Sequence, residues 1–175
     1  MTATQALLAG FVAVVVFWMV GAYNRMVRLR SALVGRFAAV DTQCRERHAL
    51  LESQHALLAG ALVAAAPRLE ALQAACRQAD AAREKAAVRP GTASAITSLR
   101  AAEDILADAR ARLPVQSAAG VDLAELNARL AHGDMALAFA RREFNESVTA
   151  YNEAVDQFPT VLVARLFGFR AAAVF

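Results

Sequence analysis

The chain has 175 residues, a 58% hydrophobic fraction swollen by alanine, and a formal net charge of only +3. Arginines alternate with acids in Arg45-Glu46-Arg47, Arg83-Glu84-Lys85 and Arg141-Arg142-Glu143, a pattern of solvated helix surface that excludes a nucleic-acid-binding stripe. Scattered prolines and the absence of alternating β-branched runs from Met26 onward exclude a sheet, so the expected fold is all-α.

Met1–Asn24 carries no charged side chain, and Ala6–Ala22 contains neither charge nor proline. With its flanks this segment is long enough to cross roughly 30 Å of hydrocarbon as a helix. Trp18 and Tyr23 lie toward its C-terminal end, where amphipathic rings suit the lipid–water boundary, and Arg25, Arg28, Arg30 and Arg36 follow at once. A cleaved signal peptide needs a basic leading region, and Met1–Gly10 has none. A buried core helix normally keeps a polar face, which is missing here. The segment therefore reads as a retained single-pass anchor, residues 1–24. Because the basic flank is C-terminal, the N-terminus is expected outside and the remainder, about 150 residues or one domain, in the cytoplasm. Membrane lipid is the expected partner of the basic flank.

Beyond the anchor, Leu29, Leu33, Phe37, Val40, Cys44, Leu51 and Leu58 recur at helical steps. Gly60 and Pro67 interrupt them, with Gly60 read as the join to a second helix through Leu69, Leu72, Cys76 and Ala79 to about Val88. Arg89-Pro90-Gly91-Thr92 reads as a turn, with Thr92 or Ser94 capping a third helix that carries Ile96, Leu99, Leu106 and Leu113 and stops before Pro114. Asp122 with Glu125 reads as a capping box opening a long fourth helix. Its seam is Leu123, Leu126, Leu130, Gly133, Leu137, Ala140, Phe144, Tyr151, Val155 and Phe158, ending at Pro159. Such seams joined by short loops imply an antiparallel four-helix bundle over residues 25–160. The apolar tail, residues 161–175, is expected to fold back as a cap on one end of the bundle; the alternative is a patch for a partner or the membrane interface.

The C-terminal residues resemble a known family. Arg141-Arg142-Glu143-Phe144-Asn145, Tyr151-Asn152, Val155, Phe158-Pro159 and then Phe167-Gly168-Phe169 are similar to the LemA pattern R-x-x-Y-N-x-x-V-x-x-Y-N-x-x-I-x-x-F-P with its GF-containing tail. Near the anchor, Tyr23-Asn24-x-x-Val27-x-Leu29-Arg30 resembles the family's Y-N-x-L-V-x-L-R stretch. The resemblance implies a helical bundle anchored in a bacterial cytoplasmic (inner) membrane, with no established reaction and no cofactor. Two family segments are replaced here, by Arg47–His55 and by Leu113–Ser117, so a partner surface built from them is in doubt.

Asn145 and Asn152 stand seven residues apart, each after an aromatic. They are expected to bond across helices and fix register, with a recognition ladder as the alternative. His48, Glu52 and His55 can share a helix face and form a weak metal-site candidate, short of ligands because no second Glu-x-x-His exists. Cys44 and Cys76, without metal-type spacing, read as reduced packing residues. Arg141, Arg142, Asp134 and Asp156 read as surface pairs. No catalytic constellation is present. The expected function is a non-catalytic, membrane-anchored scaffold or interaction module, with a homo-oligomer as one form it can take and its protein partner unidentified. The alternatives are a metal-binding bundle through His48, Glu52 and His55, or a lipid-surface sensor through Arg25–Arg36 and Val161–Phe169.

Overall fold

The structure, a computed structural model, describes residues 2–59, 66–113 and 123–175. Among the described residues there are five helices and no strand: α1 (Ala3–Ala59), α2 (Ala66–Val88), α3 (Ala93–Ala111), α4 (Ala124–Asp156) and α5 (Thr160–Leu166). The all-helical reading of the sequence holds.

One unbroken helix, α1, carries both the apolar segment and the first bundle helix. Of the described helices it is the one long and apolar enough to cross a membrane, which makes its N-terminal part a candidate span consistent with anchoring. Its large side chains from Leu7 to Val20, apart from the half-buried Met19, are exposed on the chain. Burial begins at Ala22 and Met26 and then follows a stripe through Leu33, Phe37, Val40, Cys44, His48, Leu51, Gln54 and Leu58. The steps of three and four keep that stripe on one side of the helix.

The helices alternate in direction. Arg36 on α1 pairs with Glu143 on α4 at 2.9 Å, while Arg47, further along α1, meets the earlier Asp134 at 3.5 Å. Thus α1 and α3 run away from the candidate span, and α2 and α4 return toward it. The α1 stripe packs on α4 and α2, and α2 packs on α3. The Phe37 and Phe144 rings meet edge-on at 5.4 Å in the middle of the α1–α4 contact. α3 and α4 stay further apart along their length.

Helix ends follow local chemistry with some departures from the sequence reading. Pro67 does not interrupt a helix; it sits in the first turn of α2, where its missing N–H is no loss. Gly60 and Asp122 lie outside the described residues. Leu123 occupies the N-cap of α4, with no side-chain cap bond. Glu125 is then one position early for a capping box and instead places a negative charge in the first turn, which the helix dipole favours. Thr92 stands at the α3 N-cap, but its hydroxyl makes no cap bond. Phe158, expected in the α4 seam, is exposed, because α4 stops at Asp156 and the chain turns away before the seam reaches it.

Candidate functional site

Two features of the bundle place ionisable and polar side chains in unusual positions. The first is a buried ion network at mid-height. His48, only 2% exposed, directs Nδ1 at Asp80 Oδ1 (2.9 Å) and Nε2 at Glu103 Oε1 (2.8 Å). A carboxylate only accepts, so both ring nitrogens must carry protons and His48 is an imidazolium. Glu103 also accepts from Arg47 and pairs with Arg141 at 3.4 Å. Arg83 bridges Asp41 (2.7 Å) and Asp80 (3.1 Å), and Arg110 reaches Asp134 at 2.7 Å. The network therefore ties all four bundle helices together and crosses the gap between α3 and α4 through Arg110–Asp134 and Arg141–Glu103.

Burial alone would lower the pKa of His48, but hydrogen bonds to Glu103 and Asp80 and the charges of both outweigh it and raise the value above the ordinary 6.5. Burial alone would raise Glu103; the hydrogen bond from His48 and the charges of Arg47, His48 and Arg141 outweigh it and hold its carboxyl below the ordinary 4.5. The two signs define a window. The contribution of His48 is fully present below 6.5 and is lost as pH rises toward its folded value. That of Glu103 is present above 4.5 and is lost as pH falls toward its folded value. Denaturant unfolding of the detergent-solubilised protein should accordingly show greatest stability between these ordinary values, with a decline on each side. His48→Gln should flatten the alkaline decline; an unchanged alkaline limb in that variant would assign it to other groups.

This geometry bears on one alternative of the sequence reading and corrects one of its expectations. His48 does not face Glu52 and His55 as a metal ligand: its nitrogens are taken by carboxylates of α2 and α3, and Glu52 points outward. Among the described residues, no group of three His, Cys, Asp or Glu side chains can hold a metal ion. Arg141 and Asp134 are not surface pairs, since Arg141 reaches the buried Glu103 and Asp134 takes Arg47 and Arg110; only Arg142, with Glu146 at 3.8 Å, makes an exposed pair. Cys44 and Cys76 are free and buried, and burial pushes their thiols up to about 12 and about 11, far from a reactive thiolate.

The second feature is the C-terminal strap. After α5 the chain runs without helix along the gap between α3 and α4. Asn152 donates to Ala172 O (2.9 Å) and accepts from Ala172 N–H (2.8 Å). Asn145 does the same with Phe175, at 2.8 and 2.7 Å. Seven helical residues rise about 10.5 Å and three extended residues span about 10 Å, so the two amides stand at the repeat of an extended strand. Tyr151 Oη donates to Arg170 O at 3.0 Å, and the Arg141 guanidinium lies 4.1 Å from the Phe175 ring centroid. On the α3 side, Ala173 N–H donates to Gly91 O (2.9 Å) and Arg100 donates to Val174 O (2.6 Å).

The asparagines thus bond to tail backbone rather than to another helix, because the flank of α4 that carries them faces the gap that the tail fills. The cross-helix amide pair lies elsewhere: Gln54 on α1 donates to Asn127 on α4 at 3.3 Å. Phe144 and Tyr151 are core residues. Phe167 and Phe169 flank Tyr23, with ring centroids at 4.9 and 5.7 Å, and Gly168 between them adopts φ +72°. Trp18, Tyr23, Arg25, Arg28 and Arg30 are all exposed or nearly so along α1. The arginines among them make no ion pair with the described residues.

Gly91 shows how tightly the strap is seated. Its φ is +81°, and a methyl group there would meet Ala172 Cβ at 3.0 Å and Leu33 Cδ2 at 3.3 Å, whereas one at Gly168 would meet nothing within 4 Å. Gly168→Ala should cost about 1–2 kcal/mol of left-handed strain alone. Gly91→Ala should cost more, since the strap must also shift. Thermal melts of the two variants test this order; equal losses would mean that the strap gives way freely at Ala172.

The sequence reading missed Asp80, Arg83 and Glu103. A signal was present: His48, Arg83 and Glu103 each fill a seam slot of their helix, between Cys44 and Leu51, Ala79 and Ala86, and Leu99 and Leu106. A charge in the apolar stripe of each of three neighbouring helices implies mutual pairing, because a lone buried charge is too costly.

Comparison with curated proteins and with solved structures gave no match. A family model described as the LemA family matches residues 36–175, which include the bundle from Arg36 onward, the ion network and the strap. The chain belongs to the LemA family.

Proposed function

We propose that this protein is a non-catalytic interaction module held at a bacterial cytoplasmic membrane, with its N-terminus outside and its bundle in the cytoplasm. The observation that carries the reading is the continuity of α1: one helix leaves the apolar segment and becomes a central element of the bundle core. With no hinge between them, the span sets the height and tilt of the bundle, as suits a rigid platform rather than a tethered enzyme.

The ionisable groups support the same reading. His48, Arg47, Arg83 and Arg141 are paired with Glu103, Asp80, Asp41 and Asp134 across the bundle, and a poised acid, base or nucleophile needs a free partner. Meanwhile α4 presents Met135 and Phe139, one turn apart and exposed, with the Arg142 guanidinium 5.1 Å from the Phe139 ring centroid. Aromatic, methionine and arginine side chains are the types enriched at protein interfaces. The expected partner is a protein, a second copy of the chain included.

A photo-crosslinking residue placed at Phe139 tests this in intact native membranes. A discrete adduct there, absent when the residue is at Val88, is the expected result. No adduct at Phe139 would remove this face as a docking surface.

A further inference from the structure

We infer that the protein touches the membrane a second time: Phe158, Leu162, Leu166 and Phe167 rest in the headgroup–acyl boundary of the bilayer that α1 crosses. The inference builds on the reading of Ala6–Ala22 as a span and adds a peripheral contact to it.

Helix α5 carries large apolar side chains on both sides, with Arg165 as its one charged residue. Thr160, Val163 and Ala164 are buried on the bundle, whereas Leu162 and Leu166, one turn apart on the other side, are 58% and 70% exposed. Phe158 and Phe167 extend the exposed side at 76% and 50%. Apart from Arg165, the exposed side of α5 is apolar, and four large apolar side chains on and beside this short helix form a patch that calls for a cover.

Continuity with the span identifies the cover. Phe167 and Phe169 pack on Tyr23, and Tyr23 lies about 4.5 Å of helical rise beyond Val20, an exposed residue at the end of the apolar run. The patch therefore starts at the level where α1 leaves hydrocarbon. Arg165 and Arg170 beside it, with Arg25 and Arg28 on α1, are exposed and make no ion pair with the described residues. Apolar side chains rimmed by unpaired arginines fit an interfacial helix against anionic headgroups. Docked this way, α5 would hold the bundle at two points and prevent it from rotating about the axis of α1.

Trp18 is the chain's single tryptophan, so Trp18→Phe clears the background for a probe. The full chain carrying Trp18→Phe with Leu162→Trp, Phe11→Trp or Ile105→Trp is reconstituted into phosphatidylethanolamine–phosphatidylglycerol vesicles whose lipids are brominated near the headgroup or near the chain ends. Tryptophan at 162 should lose most of its emission to the shallow bromines and little to the deep ones. Tryptophan at 11 should respond to the deep bromines, and tryptophan at 105 to neither. If 162 behaves like 105 while 11 remains quenched, the span stands and the second contact is refuted; emission at 162 that is shielded but unquenched gives the face to a second copy and refutes it equally. Loss of quenching at 11 removes the span and this inference together.

Discussion

Glu103→Leu is expected to destabilise the bundle by about 3–5 kcal/mol, the range for breaking a buried ion pair from one side. The loss comes from what the substitution leaves behind. Arg47, His48 and Arg141 converge on this one carboxylate, and its removal leaves three cationic groups with Asp80 paired to His48 and Asp134 paired to Arg47 but no ion-pair partner for Arg141 among the described residues. His48 would then shed its proton more readily, since one of the two acceptors that raise its pKa is gone. His48→Leu should therefore cost clearly less in the Glu103→Leu background than in the native chain, and a double-mutant cycle by denaturant unfolding reads that coupling. Equal costs in both backgrounds would mean that the two groups contribute independently, contrary to the 2.8 Å contact between them.

Replacing Asn145 and Asn152 together with leucine should free the strap from α4. Four hydrogen bonds are lost, at about 1 kcal/mol each, and the amide pairs cannot be replaced by backbone, because the helix has no free groups along its length. The expected total is about 2–4 kcal/mol. The more telling readout is local. Hydrogen exchange should accelerate at Ala172, Ala173 and Phe175 while the α1–α4 core around Phe37 and Phe144 keeps its protection. A core that loosens to the same extent would make the strap an integral part of the bundle rather than a separable closure. Unchanged protection of the strap would place its stability in Gly91, Arg100 and the Arg141–Phe175 stack instead.

Both variants bear on how much of this protein could be read from its residues. The helices could, because leucine, phenylalanine and cysteine repeat at three- and four-residue steps on α1 and α4, and Pro90-Gly91 marks a turn without ambiguity. The ends of the helices were harder. Alanine serves equally well inside a helix, at its end or in the core, so it blurs the boundary near Gly60. Pro67 signals a break but is also the residue best suited to a first turn. Phe158 continued the α4 periodicity in sequence, yet periodicity carries no information about where the chain leaves the helix. Asn145 and Asn152 were visibly paired, but their partner is an irregular segment with no pattern of its own; a spacing of seven suits a facing helix and an extended strand equally well. The ion network was hidden for another reason. Each of its members looks like ordinary surface charge until the seam of its own helix is followed slot by slot.

The two features also divide the work of closing the bundle. α3 and α4 do not meet along their length. Near the candidate span the strap fills the space between them, and at mid-height Arg110–Asp134 and Arg141–Glu103 bridge it. Arg141 takes part in both, through Glu103 on one side and the Phe175 ring on the other. Tail seating and the charge state of the network are thereby connected through one guanidinium. α1 joins this closed unit to the apolar segment without interruption, and the whole account depends on that segment being held in lipid.

Alkaline carbonate extraction of cell membranes tests that dependence most directly. The full chain should remain in the membrane pellet and require detergent for release, while a chain starting at Arg25 should appear in the supernatant as a folded helical monomer or small oligomer. Full-length protein found in the carbonate supernatant, with residues 1–24 still attached, would contradict the account.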